Sequence, residues 1–296
     1  FVLTTLGALV GAPSQVVWSV LLALVLLAPR FVPGLAVDVP DQLLVDLERL
    51  SVNAWSARER PVGRRGRTVV PPDLVTDVDR WSEERIVEHI LAARPNDSIL
   101  GEEGTGVDGT SGVRWLVDPI DGTTDFVYGH PGFSVSIGVE VDGTPVAGVV
   151  VDPLLDDEFC AAVGHGTTRN GRQVRVNQVE DLSSALVATG FGYDPGRRRR
   201  QAEALVSIIG HIRDIRRCGG AATDLASVAC GRVDAYFERG LNPWDCAAGT
   251  VLVTEAGGRV TDLEGRPTSG GMLVAAPVEL HGPLLELLRS AGAEVA

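Results

Sequence analysis

An apolar run that ends in acidic and hydroxyl residues constrains this chain more than any other feature. The segment WLVDPIDGTTDF spans residues 115–126 and places Asp118 directly after large apolar side chains. Asp121 follows three residues later, and Thr123 comes after the turn residue Gly122. Two carboxylates this close together repel each other unless solvent or a cation screens them. The segment therefore predicts either a solvated turn or a cation site at the end of a buried strand.

The rest of the pattern predicts two layered halves, residues 39–180 and 181–296, in an α+β or α/β arrangement. In the first half, helical periodicity is predicted over 40–60 and 73–95, and short strands over 98–100, 113–118, 133–141 and 144–152. The pair Asp142-Gly143 is typical of a two-residue hairpin turn. In the second half, strands alternate with helices over 197–209, 220–231, 244–258 and 279–291.

The first 38 residues form an apolar leader that differs from the rest of the chain. No charge occurs before Arg30, and residues 16–28 are almost continuous hydrocarbon. Three interpretations stay open: a membrane anchor with the remainder on the cytoplasmic side, a spurious or truncated N-terminus, and a signal peptide. Membrane association through residues 1–30 follows only from the first.

Charge and cysteine usage exclude several classes of protein. The formal net charge of −13 gives no basic field that could bind a nucleic-acid duplex. The four cysteines show no CxxC pairing or His/Cys cluster, so they are expected to be reduced, largely buried thiols of a cytoplasmic protein.

Acidic residues stand at five separate places where predicted elements end. These are Asp77/Asp79, Glu102/Glu103, Asp118/Asp121, Glu238 and Asp245. Each has an ordinary structural interpretation; Asp245, for example, is a good helix N-cap. Together they favour a site for Mg²⁺, which prefers oxygen ligands, over a zinc site, which would use His or Cys. An acid-rich site of this kind also suits two metals that activate a water for phosphoryl displacement.

Four motifs resemble the inositol monophosphatase family, in order and at the spacing typical of that family. They are DLVTDVD at 73–79, GEE at 101–103, WLVDPIDGTTDF at 115–126 and NPWDCAAGTVLVTEAGG at 242–258. The resemblance runs from about residue 40 to the C-terminus. It implies a layered αβαβα sandwich, a magnesium-dependent and lithium-sensitive sugar phosphatase, and a homodimer.

The resemblance also implies roles for individual residues. The metal ligands would be Glu102, Asp118, the Ile120 carbonyl, Asp121 and Asp245, holding two or three Mg²⁺ ions. The catalytic residues would be Asp79 and Thr123, which orient and deprotonate the attacking water, together with Glu102. The substrate-binding residues would be Gly122, Thr123, Gly220, Ala221, Glu238 and Asp245.

The substrate expected from the resemblance is inositol monophosphate, a small phosphorylated polyol. The same scaffold also serves histidinol phosphate, fructose-1,6-bisphosphate and 3′-phosphoadenosine 5′-phosphate, which stay as alternatives. A bisphosphate would require a second basic locus, for which Arg197–Arg200 or the arginines at 213, 216 and 217 are candidates. The alternative of another class is a non-catalytic scaffold or binding protein.

Two positions depart from the family pattern. Asp125 stands where the family usually has Asn, which adds a negative charge beside the phosphate loop. Thr68 stands where a lysine is common, with Arg67 beside it and Arg65 nearby as substitutes for the missing charge.

Overall fold

The computed structural model describes residues 76–268 and 271–293. The predictions on the leader, on the helix at 40–60 and on Thr68 lie outside this part of the chain. The helices are α1 (Asp77–Ala93), α2 (Thr123–Tyr128), α3 (Pro195–Ile208), α4 (Ala221–Ala229), α5 (Pro243–Glu255) and α6 (Val278–Ser290), with short 3₁₀ turns at Leu182–Ser184 and Ile209–His211. The strands are β1 (Ser98–Gly101), β2 (Gly106–Val107), β3 (Val113–Asp121), β4 (Ser134–Val141), β5 (Thr144–Asp152), β6 (Asp157–Ala162), β7 (Gly166–Arg169), β8 (Arg172–Val174), β9 (Leu186–Thr189), β10 (Asp214–Arg216), β11 (Ala235–Leu241), β12 (Gly258–Thr261) and β13 (Gly271–Pro277).

An eight-stranded sheet contains the strands from the first half of the described chain. Its order is β2-β1-β3-β4-β5-β6-β7-β8, and all neighbouring pairs are antiparallel except the parallel pair β1 and β3. The predicted hairpin between β4 and β5 is present, with Asp142 and Gly143 both at positive φ, the conformation that such a two-residue turn requires. Helix α1 packs Ile86 and Ile90 against one face of this sheet.

A five-stranded sheet contains the later strands, in the order β10-β9-β11-β13-β12. The alternation along β13 shows why both of its faces are covered. Leu273 and Ala275 lie in the apolar cluster formed with α4 and α5, whereas Val274 and Ala276 lie in the cluster formed with α3 and α6. Successive side chains of a strand point to opposite faces, so an uninterrupted apolar strand indicates a sheet between two helical layers.

The layers therefore run α1, large sheet, α4 with α5, small sheet, α3 with α6. This arrangement confirms the αβαβα sandwich that the resemblance implies. Helix α5 approaches the large sheet closely because two strand glycines lack a side chain. A Cβ on Gly138 would lie 2.6 Å from Ala247 Cβ, and one on Gly148 would lie 2.5 Å from Ala248 Cα. The close approach places the N-terminal end of α5 beside the ends of β3 and β4.

The prediction on the cysteines can be compared with the described residues. The four cysteines are free thiols, with Cys160 and Cys246 buried and the other two partly exposed. Within residues 76–268 and 271–293, no helix has the length and apolar character needed to cross a bilayer.

Candidate active site

The site is built around the end of β3. Asp118 and Asp121 are almost completely buried, and the pairing of β3 with β4 shifts register between them. The Oδ1 atom of Asp118 accepts a hydrogen bond from the Ile120 amide at 3.1 Å. This local turn follows from Pro119, which cannot donate to the sheet and interrupts regular pairing.

Gly122 and Thr123, which are predicted to bind the substrate, follow immediately after β3. Gly122 has φ 88° and precedes helix α2, whose first residue is Thr123. A Cβ on Gly122 would lie 2.6 Å from the Gly132 carbonyl oxygen, so both the backbone conformation and the close contact require glycine.

Asp79 and Thr123 meet although 44 residues separate them in the sequence. The Thr123 Oγ1 atom lies 3.3 Å from Asp79 Oδ1 and 3.2 Å from the Ile120 carbonyl oxygen. Asp79 is fully buried in the first turn of α1, where its carboxylate also accepts a 2.8 Å hydrogen bond from the N-cap amide of Thr76. The hydroxyl and carboxylate that the resemblance assigns to the attacking water are therefore neighbours.

Glu102 reaches the same place through the parallel pairing of β1 with β3. Its amide donates to the Val117 carbonyl at 3.1 Å, and its side chain is within hydrogen-bond range of Asp118. Asp245 arrives from the N-terminal turn of α5. The expectation that Asp245 is a helix N-cap is wrong, because Asn242 is the cap and Asp245 is the third helical residue. Its Oδ2 atom accepts from the Asn242 amide at 2.7 Å, which closes the first turn.

Asp121 connects the two halves of the fold. Its two oxygens accept from the amides of Ala221 (3.2 Å) and Ala222 (2.7 Å) at the start of α4. A carboxylate is favoured there by the unpaired N–H groups of the helix. A Cβ on Gly220 would lie 2.3 Å from Asp121 Oδ2, so the contact also requires glycine at 220.

Glu238, the predicted substrate-binding acid, lies on β11 and is close enough to Asp121 to affect its charge. Its Oε2 atom accepts a 2.6 Å hydrogen bond from the buried Tyr236 hydroxyl. Burial raises the pKa of Glu238 to about 7, which the Tyr236 hydrogen bond and the positive charge of Arg217 oppose.

The acidic groups at the centre of the site destabilise one another's charged forms. Burial raises the pKa of Glu102 to about 7, and Asp245, Glu103 and Asp79 raise it further against the hydrogen bond with Asp118. Burial raises the pKa of Asp245 to about 6. The pKa values of Asp118 and Asp121 lie well above the ordinary range because both are buried and surrounded by other carboxylates. Such a group of acids is strongly stabilised by a cation.

The donors have the chemistry that Mg²⁺ prefers, namely carboxylates and a backbone carbonyl without His or Cys. In the present rotamers, however, no three acidic, histidine or cysteine side chains of the described residues lie close enough to share one ion. The reason is visible in their hydrogen bonds. Asp118, Asp121 and Asp245 each turn toward backbone amides, which is the arrangement expected for repelling carboxylates. The residues fit magnesium by their composition and charge.

Glu83 is a site residue that the sequence reasoning missed. It is buried in α1, where its two oxygens accept from the amides of Glu103 (2.8 Å) and Thr105 (3.0 Å). These bonds hold the turn that carries Glu102. The only signal in the sequence is a second acid four residues after Asp79, one helical turn away and hence on the same face.

Replacing Glu83 by alanine should weaken metal binding and lower stability together. Two backbone donors would lose a buried charged acceptor, which costs about 1–3 kcal/mol of unfolding free energy. The Mg²⁺ affinity should fall by about tenfold because the turn that presents Glu102 is no longer held. Calorimetry of Mg²⁺ binding and chemical unfolding measure both. The control is Glu84→Ala, which removes an exposed acid of the same helix; equal losses in the two variants would contradict the role of Glu83.

Comparison with known proteins identifies relatives of this chain. The model of the inositol monophosphatase family matches residues 55–293. The inositol-1-monophosphatase SuhB of Mycobacterium tuberculosis is 46% identical over 231 residues, which cover 74% of this chain and 79% of that relative. A relative from Pasteurella multocida, titled Nus factor SuhB, is 43% identical over 210 residues, covering 69% of this chain and 79% of the relative. The crystal structure of extragenic suppressor protein suhB from Bartonella henselae superposes with a TM-score of 0.74 at 36% identity, over 81% of this chain and 94% of that one.

The fold and site define a layered αβαβα protein with a group of acidic and hydroxyl side chains at the end of a central strand. The family match spans most of the chain, and the identity to these relatives is high. The chain belongs to the inositol monophosphatase family.

Proposed function

We propose that this protein is a Mg²⁺-dependent phosphomonoesterase that hydrolyses inositol monophosphate to inositol and phosphate. The proposal rests on one observation. The acids Asp79, Glu102, Asp118 and Asp245 lie near one another at the C-terminal end of β3, beside Thr123. The mycobacterial relatives are named inositol-1-monophosphatases, which supports inositol monophosphate as the substrate.

The metal ligands proposed are Glu102, Asp118, the Ile120 carbonyl, Asp121 and Asp245, for two or three Mg²⁺ ions. When bound, Mg²⁺ lowers the pKa of a water attached to it and neutralises the negative charge that develops on the leaving oxygen. The acidic residues of the site have raised pKa values, so they must release protons to bind the cation.

The other proposed roles belong to the chain's own groups. Asp79 accepts the proton of the attacking water, and the Thr123 hydroxyl orients that water. Glu102 belongs to this catalytic group as well as to the ligands. The backbone amides of Gly122 and Thr123 hold the phosphate at the start of α2. Glu238 and Asp245 accept hydrogen bonds from polyol hydroxyls, and the backbone of Gly220 and Ala221 forms the wall of the pocket.

Two further properties belong to the proposal because they accompany the family resemblance, namely a homodimeric assembly and sensitivity to lithium. A cytoplasmic location is also proposed, and the free thiols are the observation that supports it.

The test is phosphate release from a panel of monoesters, with Mg²⁺ and with EDTA. Inositol monophosphate should be hydrolysed fastest, and EDTA should remove the activity completely. Faster turnover of histidinol phosphate, fructose-1,6-bisphosphate or 3′-phosphoadenosine 5′-phosphate would replace the substrate and leave the reaction class standing. No Mg²⁺-dependent turnover of any compound would favour the non-catalytic binding protein.

A further inference from the structure

The extra acid at position 125 lies between two segments that adjoin the proposed active site. One is helix α2, which begins at the proposed phosphate-binding residue Thr123. The other is the loop 217–220, which precedes α4 and contains Gly220, a residue of the proposed substrate site. Asp125 is in the first turn of α2, and its side chain is only 19% exposed.

The contacts of Asp125 cross from one part to the other. Its Oδ1 atom lies 3.1 Å from His130 Nδ1, and its backbone carbonyl accepts from the His130 amide at 2.8 Å. Its Oδ2 atom faces Gly219 so closely that a Cβ there would lie 2.3 Å away. Burial raises the pKa of Asp125 above its ordinary value, which the positive charge of Arg217 in the loop and the hydrogen bond with His130 oppose.

Arg217 belongs to the loop 217–220 and makes a hydrogen bond within it. Its Nη1 atom donates to the Gly219 carbonyl at 2.7 Å, which keeps the guanidinium near Asp125. The next amide along, that of Gly220, donates to the Gly132 carbonyl at 2.8 Å. The loop is therefore held by the backbone bond between Gly220 and Gly132, and the Arg217 guanidinium adds a Coulombic attraction toward Asp125.

The position of this loop also determines the position of Asp121. The loop ends at Gly220, and the next two amides are the donors to the Asp121 carboxylate. A shift of the loop would carry those donors away from the proposed metal ligand. It would also move the Gly220 and Ala221 backbone that lines the pocket.

We propose that Asp125 is a positioning residue that holds the loop 217–220 against helix α2 through its close contact with Gly219 and its attraction to Arg217. The negative charge of Asp125 therefore attracts Arg217 of the loop and does not act on the phosphate of the substrate. The link to catalysis rests on the proposed function, whereas the link between the two segments does not.

Hydrogen–deuterium exchange of the full chain tests the structural link without any substrate. Asp125→Ala should accelerate amide exchange by about threefold to tenfold in both 122–133 and 216–222, as expected for a loss of modest pairing energy. Asp125→Asn keeps the shape and should give a smaller change, and added salt should shrink its difference from wild type because the lost term is Coulombic. Unchanged exchange in both variants would overturn the proposal.

A double-mutant cycle tests whether Arg217 is the partner. Asp125→Asn and Arg217→Gln should each accelerate exchange in 216–222, and the double variant should add little to either. Arg216→Gln is the matched control, because Arg216 bonds Asp214 and the Ile215 carbonyl instead. Additive effects in the double variant, or an equal effect of Arg216→Gln, would remove Arg217 from the pairing and overturn the proposal.

Kinetics then connect the junction to the pocket. If wild type hydrolyses inositol monophosphate, Asp125→Ala should raise KM by about fivefold and lower kcat by a smaller factor, because the pocket wall moves while the attacking groups stay. Unchanged KM beside accelerated exchange would overturn the link to substrate binding. An inactive wild type would instead refute the proposed function, and the exchange data would still decide the role of Asp125.

Discussion

Asp121→Asn should reduce Mg²⁺-dependent turnover by about three orders of magnitude or more, because a charged ligand of the proposed metal site is lost. The fold should survive. The asparagine side-chain oxygen can still accept from the Ala222 amide, and the substitution removes a carboxylate whose pKa burial and the neighbouring acids already raise well above its ordinary range. Phosphate-release kinetics and thermal unfolding of the same preparation measure both effects.

Asp234→Asn provides the matched control for this variant. Asp234 is also 7% exposed and also accepts a backbone hydrogen bond, from the Leu186 amide at 2.7 Å, but it lies away from the pocket. The control should keep its turnover. Normal turnover in Asp121→Asn would exclude Asp121 from the site, and equal losses in both variants would mean that only stability was affected.

Magnesium should stabilise the protein more at high pH than at low pH. The raised pKa values of Glu102, about 7, and Asp245, about 6, mean that folding holds protons on these groups that the unfolded chain releases near its ordinary acidic pKa. Their contribution to stability is therefore fully present below the ordinary pKa and is lost as pH rises through about 6 to 7. Magnesium binds the deprotonated groups, so its affinity rises over the same interval.

Thermal unfolding with EDTA and with saturating Mg²⁺ measures this linkage. The Tm in EDTA should fall between about pH 5.5 and about pH 8, and the increase in Tm caused by Mg²⁺ should be larger at the upper value. Asp121→Asn should reduce that increase, whereas Asp234→Asn should not. A Tm increase that is the same at both pH values would show that these carboxylates do not bind the ion.

Local sequence patterns predicted most of the elements. The hairpin at Asp142-Gly143 and the strands around it are where the alternation and the turn residues placed them. The helix at 195–208 begins two residues earlier than its periodicity indicates, because Asp194 caps it and Pro195 occupies its first position. The N-cap of α5 was misplaced for the same kind of reason. Asn242 and Asp245 are both good capping residues, and only the backbone conformation distinguishes cap from third residue.

The candidate site was predictable from the sequence only in part. The types of residue and their order along the chain indicate an oxygen-rich cation site, and that much follows from composition and spacing. The meeting of Asp79 with Thr123 followed only from the family resemblance, and the hold of Glu83 on the turn beside Glu102 did not follow at all, because no local periodicity links the residues concerned.

The sequence by itself determined the chemistry: which acids and hydroxyls are present, that they stand at the ends of apolar elements, and that no His or Cys accompanies them. The tertiary structure decided which of them act together. Asp121 receives its backbone partners from 100 residues further along the chain, and the Asp125 carboxylate lies against Gly219 of a separate loop. Local sequence preferences operate over a few residues, whereas these contacts depend on how two sheets and a shared helical layer pack.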